Sequence, residues 1–168
     1  MFEVKPLLGN TFYYEAFTNV GIYRLNEKSA VLIDSCDHKR MVRSLDRELG
    51  VMELEVALII NTHCHNDHIC GNRYFQDKYG CRILSTKLEQ GFIYKPELES
   101  SFYAAGLVND ERSNPFFGLE SSEAEIITAE NLPEGFETVS LPGHGFDMIG
   151  VRTPDDVLFL ADSVLSQN

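Results

Sequence analysis

The sequence predicts an α/β domain whose strands fall into two blocks, one before residue 90 and one after residue 124. Three patterns carry that expectation. Short β-prone runs open the chain and return near its end; a stripe of helical period interrupts the first block; and an apolar pentapeptide at 56–60 is followed by a helix pattern and a further apolar strand. A strand, helix, strand succession builds parallel pairing, so part of the sheet is expected to be parallel. At 168 residues, 43% of them apolar, the chain is sized for one domain with its own core.

Residues 11–18 are rich in aromatic side chains, residues 20–25 follow a polar Asn19, and residues 30–33 end at Asp34, which together read as a three-strand meander. From 39 to 49 the period changes. Met41, Val42, Leu45 and Leu49 share one stripe, and Gly50 is placed to stop the helix. The run at 56–60 has no alternation, as expected of a strand covered on both faces. A short helix at 72–79 closed by Gly80 and a strand at 81–85 come next. Residues 86–124 mix Phe92, Tyr94, Phe102, Tyr103, Phe116 and Phe117 with Glu97, Glu99, Glu120 and Glu123, and are expected to form a lid or substrate-side segment. β signals return at 125–128, 136–141, 146–153 and 157–161, with Pro154-Asp155-Asp156 as the turn of a closing hairpin.

Charge narrows the range of partners. The formal net charge is −12, and the imbalance lies in the second half, where 4 basic residues face 15 acidic ones over 85–168. Nucleic acid and anionic membrane both require a basic footprint, so neither is expected as a broad partner. No apolar run approaches the ~18 residues of a membrane span, and the N-terminus lacks a secretion-signal pattern. Cys36, Cys64, Cys70 and Cys81 form no Cys-x-x-Cys pair and read as core fillers in a reducing compartment. The expected location is cytoplasmic.

The chemistry concentrates directly after the 56–60 strand, in Thr62-His63-Cys64-His65-Asn66-Asp67-His68. Three imidazoles and a carboxylate in six residues suit a first-row metal such as zinc or iron. Chance assembly of His-x-His-x-Asp-His from this composition is on the order of 10⁻⁴. In extended backbone residues i and i+2 project to one side, so His63 and His65 converge on one ion, and a turn into the following helix lets Asp67 and His68 face a second. His144, between two glycines, follows the 136–141 strand, and Asp162 follows the 157–161 strand. Alone, each has an ordinary reading as a turn residue or a helix cap. Beside the array both become ligand candidates, and four of the five histidines then belong to one site.

These motifs resemble those of the metallo-β-lactamase-fold metallohydrolases, which share His-x-His-x-Asp-His, a later Gly-His and a later Asp after an apolar strand. The resemblance implies an αββα sandwich with a two-metal cleft at one edge of the sheets. It assigns one ion to His63, His65 and His144, the other to Asp67 and His68, with Asp162 bridging, and gives Asp34 a supporting position behind the ligands. His65 stands where diiron relatives carry Glu, which favours zinc, with iron or manganese as alternatives. The family also has a further His well after the bridging Asp, whereas here no His follows His144 and the chain stops six residues past Asp162. The expectation is therefore one incomplete domain over 1–168, the N-terminal portion of a longer protein. Gly145-Phe146-Asp147 replaces the small-polar-Pro-Gly run common in the family.

The function expected from these residues is hydrolysis of a small ester, thioester, lactone or phosphoester, with a metal-bound hydroxide as nucleophile and Asp67 orienting it and relaying a proton. Two rival readings use the same residues: a mononuclear iron oxygenase of sulfur compounds built on His63, His65 and Asp162, and a metal-binding domain without catalysis. Exposed strand edges lead to a further expectation, pairing between copies as a homodimer.

Overall fold

A computed structural model of the chain describes residues 3–103 and 119–164. β1 (Val4–Leu8), β2 (Thr11–Tyr14), β3 (Val20–Arg24) and β4 (Ser29–Ile33) form the meander, each antiparallel to the last. The sheet then continues in parallel through β5 (Glu55–Ile60), β6 (Arg82–Ser85) and β7 (Glu125–Ile126). Sequence reasoning missed β1, because Lys5 and Pro6 break its pattern. It also assigned the residues of β7 to the later block, but Leu84 and Ser85 offer them a parallel edge in the first sheet. A second, antiparallel sheet has the order β10 (Leu158–Phe159), β9 (Ile149–Arg152), β8 (Glu137–Ser140). The turn at 154–156 closes the expected hairpin, with Thr153 N–H donating to Val157 C=O at 2.9 Å.

Two apolar layers flank the larger sheet. On one face Ala30, Leu32, Val56, Ile59 and Ile83 meet Met41, Val42, Leu45 and Leu49 of α1 (Lys39–Val51) and Phe75 of α3 (Asn72–Tyr79). On the other face Val31, Ile33, Leu58, Ile60 and Leu84 meet Phe136, just before β8, and Ile149 and Val151 of β9. All these core positions are at most 8% exposed, so each of the side chains larger than Ala30 contributes on the order of 1.5–3 kcal/mol of burial. The alternation in β5 is broken once. Ala30 pairs with Val56 and Val31 with Leu58, so Ala57 is an unpaired bulge residue, and the strand changes phase there.

α1 does not stop at Gly50. It runs to Val51, and Glu53 (φ 58) supplies the left-handed residue instead. Glu53 N–H donates to Gly50 C=O at 3.1 Å and Leu54 N–H to Leu49 C=O at 2.9 Å, a Schellman closure whose apolar contact is between buried Leu49 and Leu54. α3 ends at Gly80 (φ 63) as its sequence indicates. Two helices that sequence reasoning left open occupy the first part of the 86–124 segment, α4 (Lys87–Tyr94) and α5 (Glu97–Tyr103). Phe116 and Phe117 lie outside the described residues. Residues 146–148, expected as strand, form instead a bend tied to α4, with Asp147 N–H donating to Glu89 Oε1 at 2.8 Å and Thr86 Oγ1 donating to Asp147 C=O at 2.9 Å.

Asp46 of α1 joins the helical layer. Its carboxylate accepts from Tyr74 Oη (2.8 Å), Tyr79 Oη (2.6 Å) and Lys78 Nζ. Burial pushes its pKa up, but Lys78 and the two phenols outweigh burial and hold it below the usual carboxylate value. A depressed carboxylate stabilises the fold above its unfolded pKa and loses that contribution as pH falls through the folded one. Asp46→Asn is therefore expected to cost about 1–3 kcal/mol at neutral pH. In denaturant titrations across pH, its difference from the parent should shrink below about pH 4.

Candidate metal centre

The candidate residues gather where strands end. β4 delivers Asp34, β5 delivers residues 62–65, the β8–β9 loop delivers His144, and a 3₁₀ turn (Ala161–Ser163) after β10 delivers Asp162. This is the carboxyl edge of the parallel strands β4 and β5, where loops of an open α/β sheet converge. The chain enters α2 (Asn66–Ile69) immediately after His65, earlier than the turn expected near Gly71, and so carries Asp67 and His68 around to the same cleft.

α2 is pinned from behind. Ser35 N–H donates to His68 C=O at 2.7 Å, Ser35 Oγ donates to Asn72 Oδ1 at 2.8 Å, and Asn72 Nδ2 donates to Asn61 Oδ1 at 2.7 Å. Gly71 permits this approach, because a Cβ there would lie 2.2 Å from the Ser35 carbonyl oxygen. Gly145 does the same for the His144 loop, where a Cβ would meet Glu89 Oε1 at 3.1 Å and His63 Cβ at 3.2 Å. Ile149 N–H donates to Thr62 C=O at 3.0 Å, which ties the smaller sheet to the array itself.

The side chains form two groups. His63, His65 and His144 each offer a nitrogen, and His63, His68 and Asp162 each offer a nitrogen or oxygen, with all ligand atoms of a group within 4.8 Å of one another. The imidazole centroids of His63 lie 4.5, 4.1 and 5.1 Å from those of His65, His68 and His144. Asp162 faces both groups, Oδ1 lying 3.2 Å from His68 Nε2 and Oδ2 3.2 Å from His144 Nε2. Asp67 belongs to neither group. Its Oδ2 is 3.7 Å from His68 Nε2 and accepts from Thr18 Oγ1 at 2.8 Å. The fifth histidine, His38, caps α1.

Hydrogen bonds fix the tautomers. Thr62 Oγ1 donates its single proton to Asp34 Oδ2 (2.7 Å), so toward His63 Nδ1 (3.0 Å) it accepts, which makes Nδ1 the protonated nitrogen. His68 Nδ1 likewise donates to Asp34 Oδ2 at 2.7 Å. Nε2 of His63 and Nε2 of His68 are both buried without a hydrogen-bond partner, and both point into the cluster. Orphaned imidazole nitrogens with their opposite faces bonded to oxygen are suited to a divalent metal, so the donor set fits the ion that its chemistry implies. The electrostatics agree. Burial, then His68, lowers the pKa of His63 to about 3, so that it stays a neutral donor. The adjacent His68, its Nε2 3.2 Å from Oδ1, holds Asp162 at about 2. Burial alone would depress His68, but Asp34 and Asp162 raise it to about 10, and carboxylates that hold a proton at Nε2 would hold a cation there in its place.

The array opens on two sides. A cleft of about 680 Å³ is lined by Thr18, Asp67, His68 and Asp162 among others, and a pocket of about 190 Å³ by His65, Glu99, His144 and aromatic side chains. A cavity of about 400 Å³ between α1 and α3 lies apart from the histidines.

A family model for the metallo-β-lactamase superfamily matches residues 13–168. The chain belongs to that superfamily. Among curated family relatives it is 23% identical over 143 residues to a hydroxyacylglutathione hydrolase of Prochlorococcus marinus (strain MIT 9312), covering 83% of this chain and 47% of that one. It is 26% identical over 144 residues to hydroxyacylglutathione hydrolase GloC of Haemophilus influenzae (strain ATCC 51907 / DSM 11121 / KW20 / Rd), covering 80% and 63%. The chain thus spans about half the length of the curated relatives it matches. Solved structures with this fold include the FEZ-1 metallo-β-lactamase of Legionella gormanii (TM-score 0.72, 16% identity, 90% of this chain and 58% of that one) and BLEG-1, a B3 metallo-β-lactamase (TM-score 0.66, 24% identity, 99% and 74%).

Sequence reasoning did not single out Thr62, Thr18 or Glu89. Glu89 is buried in α4, where it accepts from Cys64 N–H (3.0 Å) and Asp147 N–H (2.8 Å), binding the two histidine-bearing loops together. Its one signal in the sequence is an acidic residue between Leu88 and Ile93. Thr62→Val removes the hydroxyl that sets the tautomer of His63 while conserving volume. Metal affinity measured by chelator competition is expected to fall about 10–100-fold, and the unpaired buried groups should lower stability by about 1–3 kcal/mol in denaturant titration.

Proposed function

We propose that this chain carries the metal centre of a hydrolase acting on a small thioester or ester. The observation that carries the reading is the pair of donor groups sharing His63, with the two oxygens of Asp162 directed one to each group. The names of the curated relatives, both hydroxyacylglutathione hydrolases, favour a thioester within the wider range of carbonyl and phosphorus esters.

His63, His65 and His144 would hold one ion; His68 and Asp162, with His63 and Asp67 beside them, would hold a second. Zinc is the metal expected of imidazole donors with few carboxylates. Bound there, such an ion supplies Lewis acidity and lowers the pKa of coordinated water.

The chain's own residues do the rest. Asp67 keeps one carboxylate oxygen on Thr18 Oγ1, and its other oxygen can take a proton from the attacking water and pass it to the leaving group. Asp34 and Thr62 hold the imidazoles of His63 and His68 at a fixed tilt, so little reorganisation is needed as charge develops. Cys64 supplies no nucleophile, since burial and then Glu89 hold its thiol strongly protonated. Its cysteines are all unpaired, three of them buried, which supports our placing the protein in the cytoplasm. No helix among the described residues is long and apolar enough to cross a membrane.

In the full-length protein, His63→Ala is expected to lose metal from both groups, read by elemental analysis, together with chelator-sensitive thioester hydrolysis. Asp67→Asn should keep at least one ion and lose about 10²–10⁴-fold in kcat. Unchanged metal content in His63→Ala would overturn the assignment.

A further inference from the structure

The pocket beside His65 has features that metal binding does not use. It is lined by Cys64, Glu89, Phe92, Glu99, Phe102 and Phe146 together with the His144 loop, and among the described residues no lysine or arginine lines it. Phe92 and Phe146 stack at 5.8 Å, and Phe102 stands edge-on to both, at 6.1 and 5.2 Å. These rings are not core. Phe102 is 65% and Phe146 55% exposed, so the aromatic wall is open to whatever enters.

Two carboxylates sit behind the wall, in different states. Glu89 is spent on the backbone N–H groups of Cys64 and Asp147. Glu99 is 3% exposed, and neither of its oxygens has a hydrogen-bond partner. The nearest base, His65 Nε2, lies 3.3 Å from Glu99 Oε1 but off the line of a hydrogen bond. Burial, then the nearby Glu89 and Asp67, push its pKa up to about 8, the mark of a carboxyl that lacks a counter-charge; ionised, it offers about four lone-pair directions, and leaving them unmet is costly.

We infer that this pocket receives a cationic nitrogen, a protonated amine or guanidinium, carried on an apolar arm of the substrate, with Glu99 as its counter-charge. An N–H-rich cation meets the free lone pairs of Glu99, and a guanidinium does so with two parallel bonds. The phenyl rings that line the pocket are compatible with the same charge, since a cation is attracted to a ring face within about 6 Å of its centroid. The volume of about 190 Å³ accepts a head group rather than a whole substrate. Glu99, with no lysine or arginine among the described lining residues, disfavours a carboxylate-bearing arm. The inference rests on the metal-centre reading only for where the scissile bond lies, next to His65 and His144.

Benzylguanidine tests it, being a permanent cation that does not ligate metals, against benzyl alcohol and benzoate as neutral and anionic comparators. Their dissociation constants are measured by calorimetry on the full-length, metal-loaded protein, with metal content determined on the same samples. Benzylguanidine is expected to bind at least tenfold more tightly than benzyl alcohol, and benzoate more weakly than either. Glu99→Gln should bring the first two to parity with metal retained, and Phe102→Ala should weaken benzylguanidine several-fold. Parity in the parent protein, or a preference that survives Glu99→Gln, overturns the proposal. So does loss of metal in Glu99→Gln, which would assign the carboxylate to positioning His65. A protein that binds no metal but still prefers the cation would refute the hydrolase reading alone.

Discussion

The site depends on one buried carboxylate. Asp34, 3% exposed, accepts from the N–H of Thr62 (2.8 Å), from its hydroxyl, and from Nδ1 of His68. Burial alone would push its pKa up, but His68 and the other donors outweigh burial and keep it ionised. It sits at φ 64, a left-handed conformation that a non-glycine residue adopts at a cost on the order of 1 kcal/mol. That conformation lifts the carboxylate off the end of β4 and across to β5. Through Thr62 it orients His63, and directly it orients His68, so one anion determines which nitrogen of each imidazole faces the cluster.

Around this anchor the fold keeps the histidines close without letting them collapse. The Ser35, Asn61 and Asn72 cluster ties α2 and α3 to the sheet, and Glu89 ties the His63–His65 loop to the His144 loop. Both are polar contacts under an apolar layer, where an unpaired member is costly, so each arrangement is strongly specified. The rigid side of the site is thus the larger sheet with its helices. The smaller sheet contributes His144 and Asp162 from connecting loops.

Much of this was legible in the sequence, and the reasons are specific. The His-x-His-x-Asp-His spacing, the apolar strand before it, the helix closed by Gly80 and the hairpin at 154–156 are local patterns, and local patterns survive folding. The α1 terminus was misplaced because Glu53 adopts the conformation for which glycine is favoured, leaving Gly50 as an ordinary helical residue. Helices α4 and α5 were not legible, since Glu89, Phe92, Glu99 and Phe102 face a pocket rather than forming an apolar stripe. Glu89 and Glu99 could not be read as site residues for the same reason: their significance lies in contacts with residues 64, 65 and 147, which only tertiary structure brings near.

The extra residue at Ala57 carries a consequence for how such a chain can vary. Before it, Val56 looks toward the helices; beyond it, Leu58 and Ile60 look toward the smaller sheet. Asn61 and Thr62 inherit that phase, one reaching Asn72 and the other Asp34. Deleting Ala57 would leave Ala30–Val56 and Val31–Leu58 as successive pairs of a regular ladder, with every later side chain still on the layer it now addresses. The phase of β5 at its exit, rather than its length, is therefore the part of the signature that accompanies the histidines, and a related chain lacking the extra residue would reach its own first histidine in the same phase.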